Sequence, residues 1–265
     1  PSAAQPPQLN LCPDCTFRWL ILSTLVGSDS RYVVLDVDEQ ASPGPEPHYP
    51  VTAELLESES VRLESGELTV TLDGPNKPFG ARLKRRDRSL ENLSGLMEID
   101  GKPVITVVET TKIVSQGPLR GEAEVKGRLS SDQSEIGRFV FRIAVFSGQP
   151  WVRITWRVFN DRAETLQVSR FELSGNFAGA SQGETLWGQS NRSAGSSVRL
   201  QQTREDSYTV VAGDGAVLEA GAAAGGWLGW HDETVTMIAS VRHFREQFPK
   251  ALEIAEGRLR ISLFE

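Results

Sequence analysis

The sequence is poor in the residues that usually announce chemistry. Its 265 residues include only two cysteines, three histidines and two methionines. The histidines are His48, His231 and His243, with no H-x-x-x-H or H-E-x-x-H pair, so the zinc-hydrolase signature is missing. Cys12 and Cys15 make one C-x-x-C, and no further Cys or near His supplies the two extra ligands of a structural zinc. Neither a G-x-S-x-G elbow nor a phosphate-binding loop occurs. No apolar run approaches the ~18 residues of a membrane span; Phe17 to Val26 is the longest, and Arg18, Ser23 and Thr24 interrupt it. A net charge of −7 argues against a general nucleic-acid binder.

The C-x-x-C leaves a local disulfide, two free thiols and a redox pair open. A redox pair should open a helix after a strand, whereas Cys12 and Cys15 precede Phe17 to Leu22, which reads as a strand. Asp36, Asp38 and Glu39 could touch a calcium ion, but they lack the glycine and distal Glu of an EF loop. A solvated strand end is the commoner reading there, so no metal site is expected and calcium is the only cofactor the sequence even suggests.

What the chain does have is period-two patterning broken by turns. Apolar residues make up 39% and charged residues 24%, an ordinary globular balance, with 24 glycines and 14 prolines as punctuation. Strands are expected at Phe17–Val26, Arg31–Val37, Ser60–Leu63, Leu68–Leu72, Val104–Val114, Leu119–Leu129 and Phe139–Phe146. They continue at Trp151–Phe159, Leu166–Leu173, Ser197–Gln202, Tyr208–Val211, Thr234–Val241 and Arg258–Phe264. The fold class is therefore all-β, a large antiparallel sandwich. Residues 1–16 read as a flexible leader and 17–50 as a two-stranded segment with a linker, Ala41 to Pro50, holding four prolines. Residues 51–265 form the sandwich. Ser174 to Gly195 and Gly213 to Gly226 read as long loops, and Phe244–Gln247 as a helical turn.

The hairpin Phe139–Phe159 turns at Ser147-Gly148-Gln149-Pro150. Pairing Phe146 with Trp151 sets Ile143 opposite Ile154 and Phe141 opposite Trp156, making one face wholly apolar. The other face carries Arg138, Arg142, Arg153 and Arg157, good bidentate hosts for carboxylate or phosphate. The competing reading is a charge-balanced solvent face. Strand Leu119–Leu129 presents Glu122 and Glu124 among Arg120, Lys126 and Arg128, and antiparallel pairing would set Glu124 against Arg142.

Trp187, Trp227 and Trp230 lie in or beside the glycine-rich stretches, where flat rings could stack on sugars or simply plug the sandwich ends. Gly226 to Lys250 gathers His231, Asp232, Arg242, His243, Gln247 and Lys250 near two of them.

Five stretches resemble the rhamnogalacturonan exolyase family and its uncharacterised bacterial relatives. They are TFRWLILSTLV (Thr16–Val26), VRLESGELTVTLDG (Val61–Gly74), GPLRGEAEVKG (Gly117–Gly127), FRIAVFSGQPWVRITW (Phe141–Trp156) and VRHFREQFPKALEI (Val241–Ile254). In the last, Arg242, Phe244, Gln247, Pro249 and Lys250 carry the likeness, while Arg245 stands where the family has Trp. The resemblance implies a galactose-mutarotase-like supersandwich for residues 51–265, with the family's catalytic helical barrel absent. The expected function is accordingly that of a non-catalytic or accessory sandwich that binds acidic, uronate-containing polysaccharide. Alternatives are a self-assembling extracellular domain, with a homo-oligomer or strand-exchange neighbour as partner, and a small sugar-acting lyase or mutarotase-like enzyme.

The candidate ligand-binding residues are Arg138, Arg142, Arg153, Arg157, Trp187, Trp227, Trp230, Arg242 and Gln247. For catalysis the candidates are His231, His243 and Lys250. A polysaccharide ligand implies an extracellular or periplasmic location.

Overall fold

The computed structural model describes residues 8–11, 17–21, 47–132, 134–177, 183–188, 192–194, 197–231 and 236–264. Every regular element among them is a β-strand, and every strand pairing is antiparallel. Cys12, Cys15, the expected strand Arg31–Val37, and Asp36, Asp38, Glu39 and Asp232 lie outside the described residues.

At the N-terminus β1 (Gln8–Leu11) pairs with β2 (Phe17–Ile21). The strand β1 lies within residues 1–16, the stretch whose composition reads as a flexible leader. The apolar Leu9 and Leu11 supply the alternation that a composition reading of 1–10 overlooks.

The large sheet has fifteen strands. Its first seven are β3 (Val51–Leu55), β4 (Val61–Ser65), β5 (Leu68–Leu72), β6 (Ala81–Arg85), β7 (Arg88–Ile99), β8 (Lys102–Gln116) and β9 (Arg120–Ser131). In chain order the next strands, of both sheets, are β10 (Ser134–Phe146), β11 (Val152–Asn160), β12 (Val168–Phe177), β13 (Glu184–Trp187) and β14 (Arg192–Ala194). The chain continues with β15 (Val198–Arg204), β16 (Ser207–Ala212), β17 (Val217–Gly221), β18 (Trp227–His231) and β19 (Thr236–Ser240). It closes with β20 (Lys250–Ala255) and β21 (Arg258–Phe264). The strands β14-β13-β18-β19 form a separate four-stranded sheet.

The large sheet forks at β7. On one side β7 pairs with β12 along its length; on the other it pairs with β6 through Leu90 and Leu93, then with β8 through Met97 to Ile99. The two branches, β3–β6 and β8–β11, therefore leave one strand in different directions and stack on each other. Phe79 meets Phe141 with ring centroids 4.4 Å apart, and Trp156 meets Phe171 of β12 at 4.5 Å. Trp156 lies so close over β7 that a Cβ on Gly95 would fall 1.7 Å from its ring. Glycine is needed there for close approach, and the backbone φ is ordinary.

The long layer runs β3-β4-β5-β6-β7-β12-β21-β20-β15-β16-β17. Against it lie the branch β8–β11 and, farther along, the small sheet, anchored by Trp230 stacked on Phe177 at 6.0 Å. This is the expected antiparallel sandwich. The outer face of the long layer is laced by charge: Arg170 bonds Glu172, Arg260 reaches both Glu172 and Glu253, and Arg199 reaches Glu253.

Two expected loops contain strands. Ser174 to Gly195 holds the end of β12, all of β13 and β14, and Gly213 to Gly226 holds β17. The expected helical turn at Phe244–Gln247 is a single turn closed by Gln247 N–H donating to His243 O at 3.0 Å.

Candidate functional site

The second layer is incomplete among the described residues. The strand β11 has only β10 as a neighbour, and β19 has only β18. Between these two edges lies a cleft of about 400 Å³, within the size range of small-ligand sites. Its floor is apolar, formed by Leu90 and Leu93 of β7, Leu173 of β12, and Leu259 and Ile261 of β21. One wall is Trp151, Val152, Ile154 and Trp156; the other is Met237 to Val241.

Among the described residues, the charged side chains lining the cleft all carry the same sign: Lys84, Arg85, Arg88 and Arg242. Arg85 is 3.7 Å from Glu67, an acid that also takes Arg86 at 2.7 Å. Lys84 and Arg242 are exposed and make no ion pair among the described residues. Trp151, 46% exposed, stands at the mouth with its ring 4.4 Å from that of Phe146. An indole and several cations around an apolar floor can hold a ligand that has flat apolar faces and negative charge.

The structure brings Trp230 and Arg242 to this cleft and leaves the other sequence candidates elsewhere. Trp187 is buried, and its Nε1–H donates to Glu219 at 3.0 Å; Glu219 also accepts from Tyr208 at 2.5 Å. That hydrogen bond and burial raise the Tyr208 phenol above its ordinary value. Trp227 is half-buried beside Gly225 and Gly229.

Two of the four arginines on the charged face are neutralised by acids. Arg138 forks onto Asp161 through two 2.7 Å bonds and lies over Phe159. Arg142 meets Glu124 at 2.6 Å and Glu122 at 3.8 Å. Arg153 packs over the Phe146 ring at 5.6 Å, and Arg157 is exposed without a carboxylate among the described residues. Glu124 is 2% exposed and also takes Lys112 and Lys126, each at 3.3 Å. Burial alone would raise its pKa, but bonds from Arg142, Lys112 and Lys126 outweigh it and hold the carboxyl below its usual value.

The three catalytic candidates do not converge. His231 ends β18 in an exposed position, and His243 sits in the turn after β19 with φ 53; neither lines the cleft. Lys250 is 6% exposed and points inward, donating to Gln247 Oε1 at 2.8 Å and to the carbonyls of Arg242 and His243 at 3.5 Å. Desolvation lowers its pKa. Gln247 and Lys250 therefore brace the turn that carries Arg242 to the cleft. Among the described residues no group of three metal-ligating side chains occurs.

Sequence reasoning missed Lys84, Arg85, Arg88 and Trp151. The signal for the first three is the run Lys84-Arg85-Arg86-Asp87-Arg88, the tightest packing of cations in this acidic chain. No protein-family model matches the chain, and no curated protein matches it in sequence.

Proposed function

We propose that the chain is a non-catalytic β-sandwich module that binds an acidic, uronate-containing polysaccharide in the cleft between β11 and β19. One observation carries this reading: the described charged groups lining the cleft are all cations, in a protein of net charge −7, and they surround an exposed indole. Sugar rings offer C–H faces to Trp151, and uronate carboxylates offer bidentate partners to Arg242. Neither a carboxylate nor a histidine is among the described lining residues, which favours binding over turnover. Polymers of this kind lie outside the cell, so the reading goes with an extracellular or periplasmic location.

The test is calorimetric titration of the chain with oligogalacturonates and with neutral cello-oligosaccharides at low and moderate salt. Saturable binding of the acidic oligomer alone is expected, weakened by salt and by about tenfold in Arg242→Ala. Equal affinity for the neutral oligomer, or none for the acidic one, overturns the proposal.

A further inference from the structure

The walls of the cleft are strand edges, and their main-chain groups are turned into it. Val241 N–H donates to Gly226 O at 3.0 Å. Antiparallel ladders alternate bonded and non-bonded pairs, so Leu228↔Ala239 and Trp230↔Met237 exchange bonds in the observed register. The N–H and C=O of Ile238 and Ser240 therefore face away from β18. The same alternation applies to β11. Ser147 N–H donates to Leu119 O at 2.9 Å, so Val145, Ile143 and Phe141 bond to β9. Ala144, Arg142 and Val140 then bond to Arg153, Thr155 and Arg157. The main-chain groups of Val152, Ile154 and Trp156 are left facing the open side.

Two edges that are unpaired among the described residues, over one apolar floor, form a seat for an added strand. We propose that the cleft accepts an extended segment of a partner polypeptide, about five to seven residues long, which pairs with β11, β19 or both and completes the second layer. Its chemistry follows from its neighbours. Alternate side chains would turn to Leu90, Leu93, Leu259 and Ile261, and must be apolar. The intervening ones would lie beside Arg153 and Arg157 on the outer face of β11, and must be acidic. A second copy joining β11 to β11 is disfavoured, because its outer face carries Arg153, Thr155 and Arg157 and so brings no acid to either arginine.

This inference rests on backbone edges, whereas the polysaccharide reading rests on the cationic rim. The two occupants would exclude each other. The experiment titrates the chain with a capped Val-Asp-Val-Asp-Val-Asp-Val peptide and its Val/Lys counterpart, following tryptophan fluorescence and competition with oligogalacturonate. Ile238→Pro removes an edge donor that does not pair with β18, so the protein should stay folded by near-ultraviolet circular dichroism.

Binding of the Val/Asp peptide alone, weakened about tenfold by Ile238→Pro, is expected. Arg242→Ala should weaken the oligosaccharide more than the peptide, which separates the two readings. Equal binding of both peptides, binding insensitive to Ile238→Pro, or no peptide binding overturns the inference. A concentration-dependent doubling of mass abolished by Ile238→Pro would also overturn it, giving the edge to a second copy.

Discussion

Arg142 Nη2 stands 2.6 Å from Glu124 Oε2 across the β9–β10 ladder, where the two residues are direct register partners. Glu124 is nearly sealed from solvent although it lies on an outer face, because Arg142, Lys112 and Lys126 close over it. An acid among three cations is held as an anion, and the arginine that looked available for a ligand is already engaged.

Glu124→Ala should destabilise the chain by about 1–3 kcal/mol, since it strands three cations that share one buried acceptor. Arg157→Ala should change stability by less than about 0.5 kcal/mol, as expected of an exposed side chain without an ion pair. Urea unfolding of both variants measures the contrast; equal effects would show that the Glu124 cluster contributes little.

The same carboxyl sets an acid limb. Its folded pKa lies below its unfolded value, so its contribution is complete above the ordinary carboxylate range and is lost as pH falls through the depressed value. Wild-type thermal midpoints should drop below about pH 4.5, and Glu124→Gln should fall less steeply there. Parallel slopes for the two proteins would assign the acid limb to other groups.

Lys250 acts in the opposite direction. Its folded pKa is lowered by burial, so between that lowered value and the unfolded lysine value the unfolded chain binds more protons, and this group's contribution improves as pH rises through that window. Lys250→Met should flatten that alkaline gain. It should also loosen the turn bearing Arg242, because Gln247 Oε1 and two carbonyls lose their donor. Hydrogen exchange at residues 242–247 reports the second effect.

Gly95→Ala should cost about 1–3 kcal/mol, because the added methyl meets the Trp156 ring and must displace it. A shifted tryptophan emission should accompany the loss. An unchanged spectrum together with unchanged stability would mean that the ring moves freely.

The hairpin Phe139–Phe159 was legible residue by residue. Every expected cross-strand partner from Val145↔Val152 to Phe139↔Val158 is observed, because an apolar face of period two admits one register. The pairing of Arg142 with Glu124 followed from the same rule. By contrast β7 was invisible. Its buried residues Leu90, Leu93, Met97 and Ile99 are spaced three, four and two apart. Asn92 sits at φ 52, and the ladders from β7 to β12 and to β6 shift register. A strand that changes partners midway does not keep one face inward, so no alternation survives to be read. The strand β17 failed differently: Val217–Gly221 is an edge with Val217 exposed, and its small residues look like the loop around it.

Composition and alternation alone determined that the chain is an antiparallel sandwich, since burying one face of each strand leaves few other solutions. They also determined which face of the central hairpin is charged. Only the tertiary structure decided where a ligand could sit. Lys84 on β6, Trp151 before β11 and Arg242 after β19 are distant in sequence, and each looks like an ordinary surface residue in its own segment. They meet because the sheet forks at β7 and its second layer, among the described residues, leaves a gap beside the small sheet, a property of how strands stack and not of any strand's own pattern.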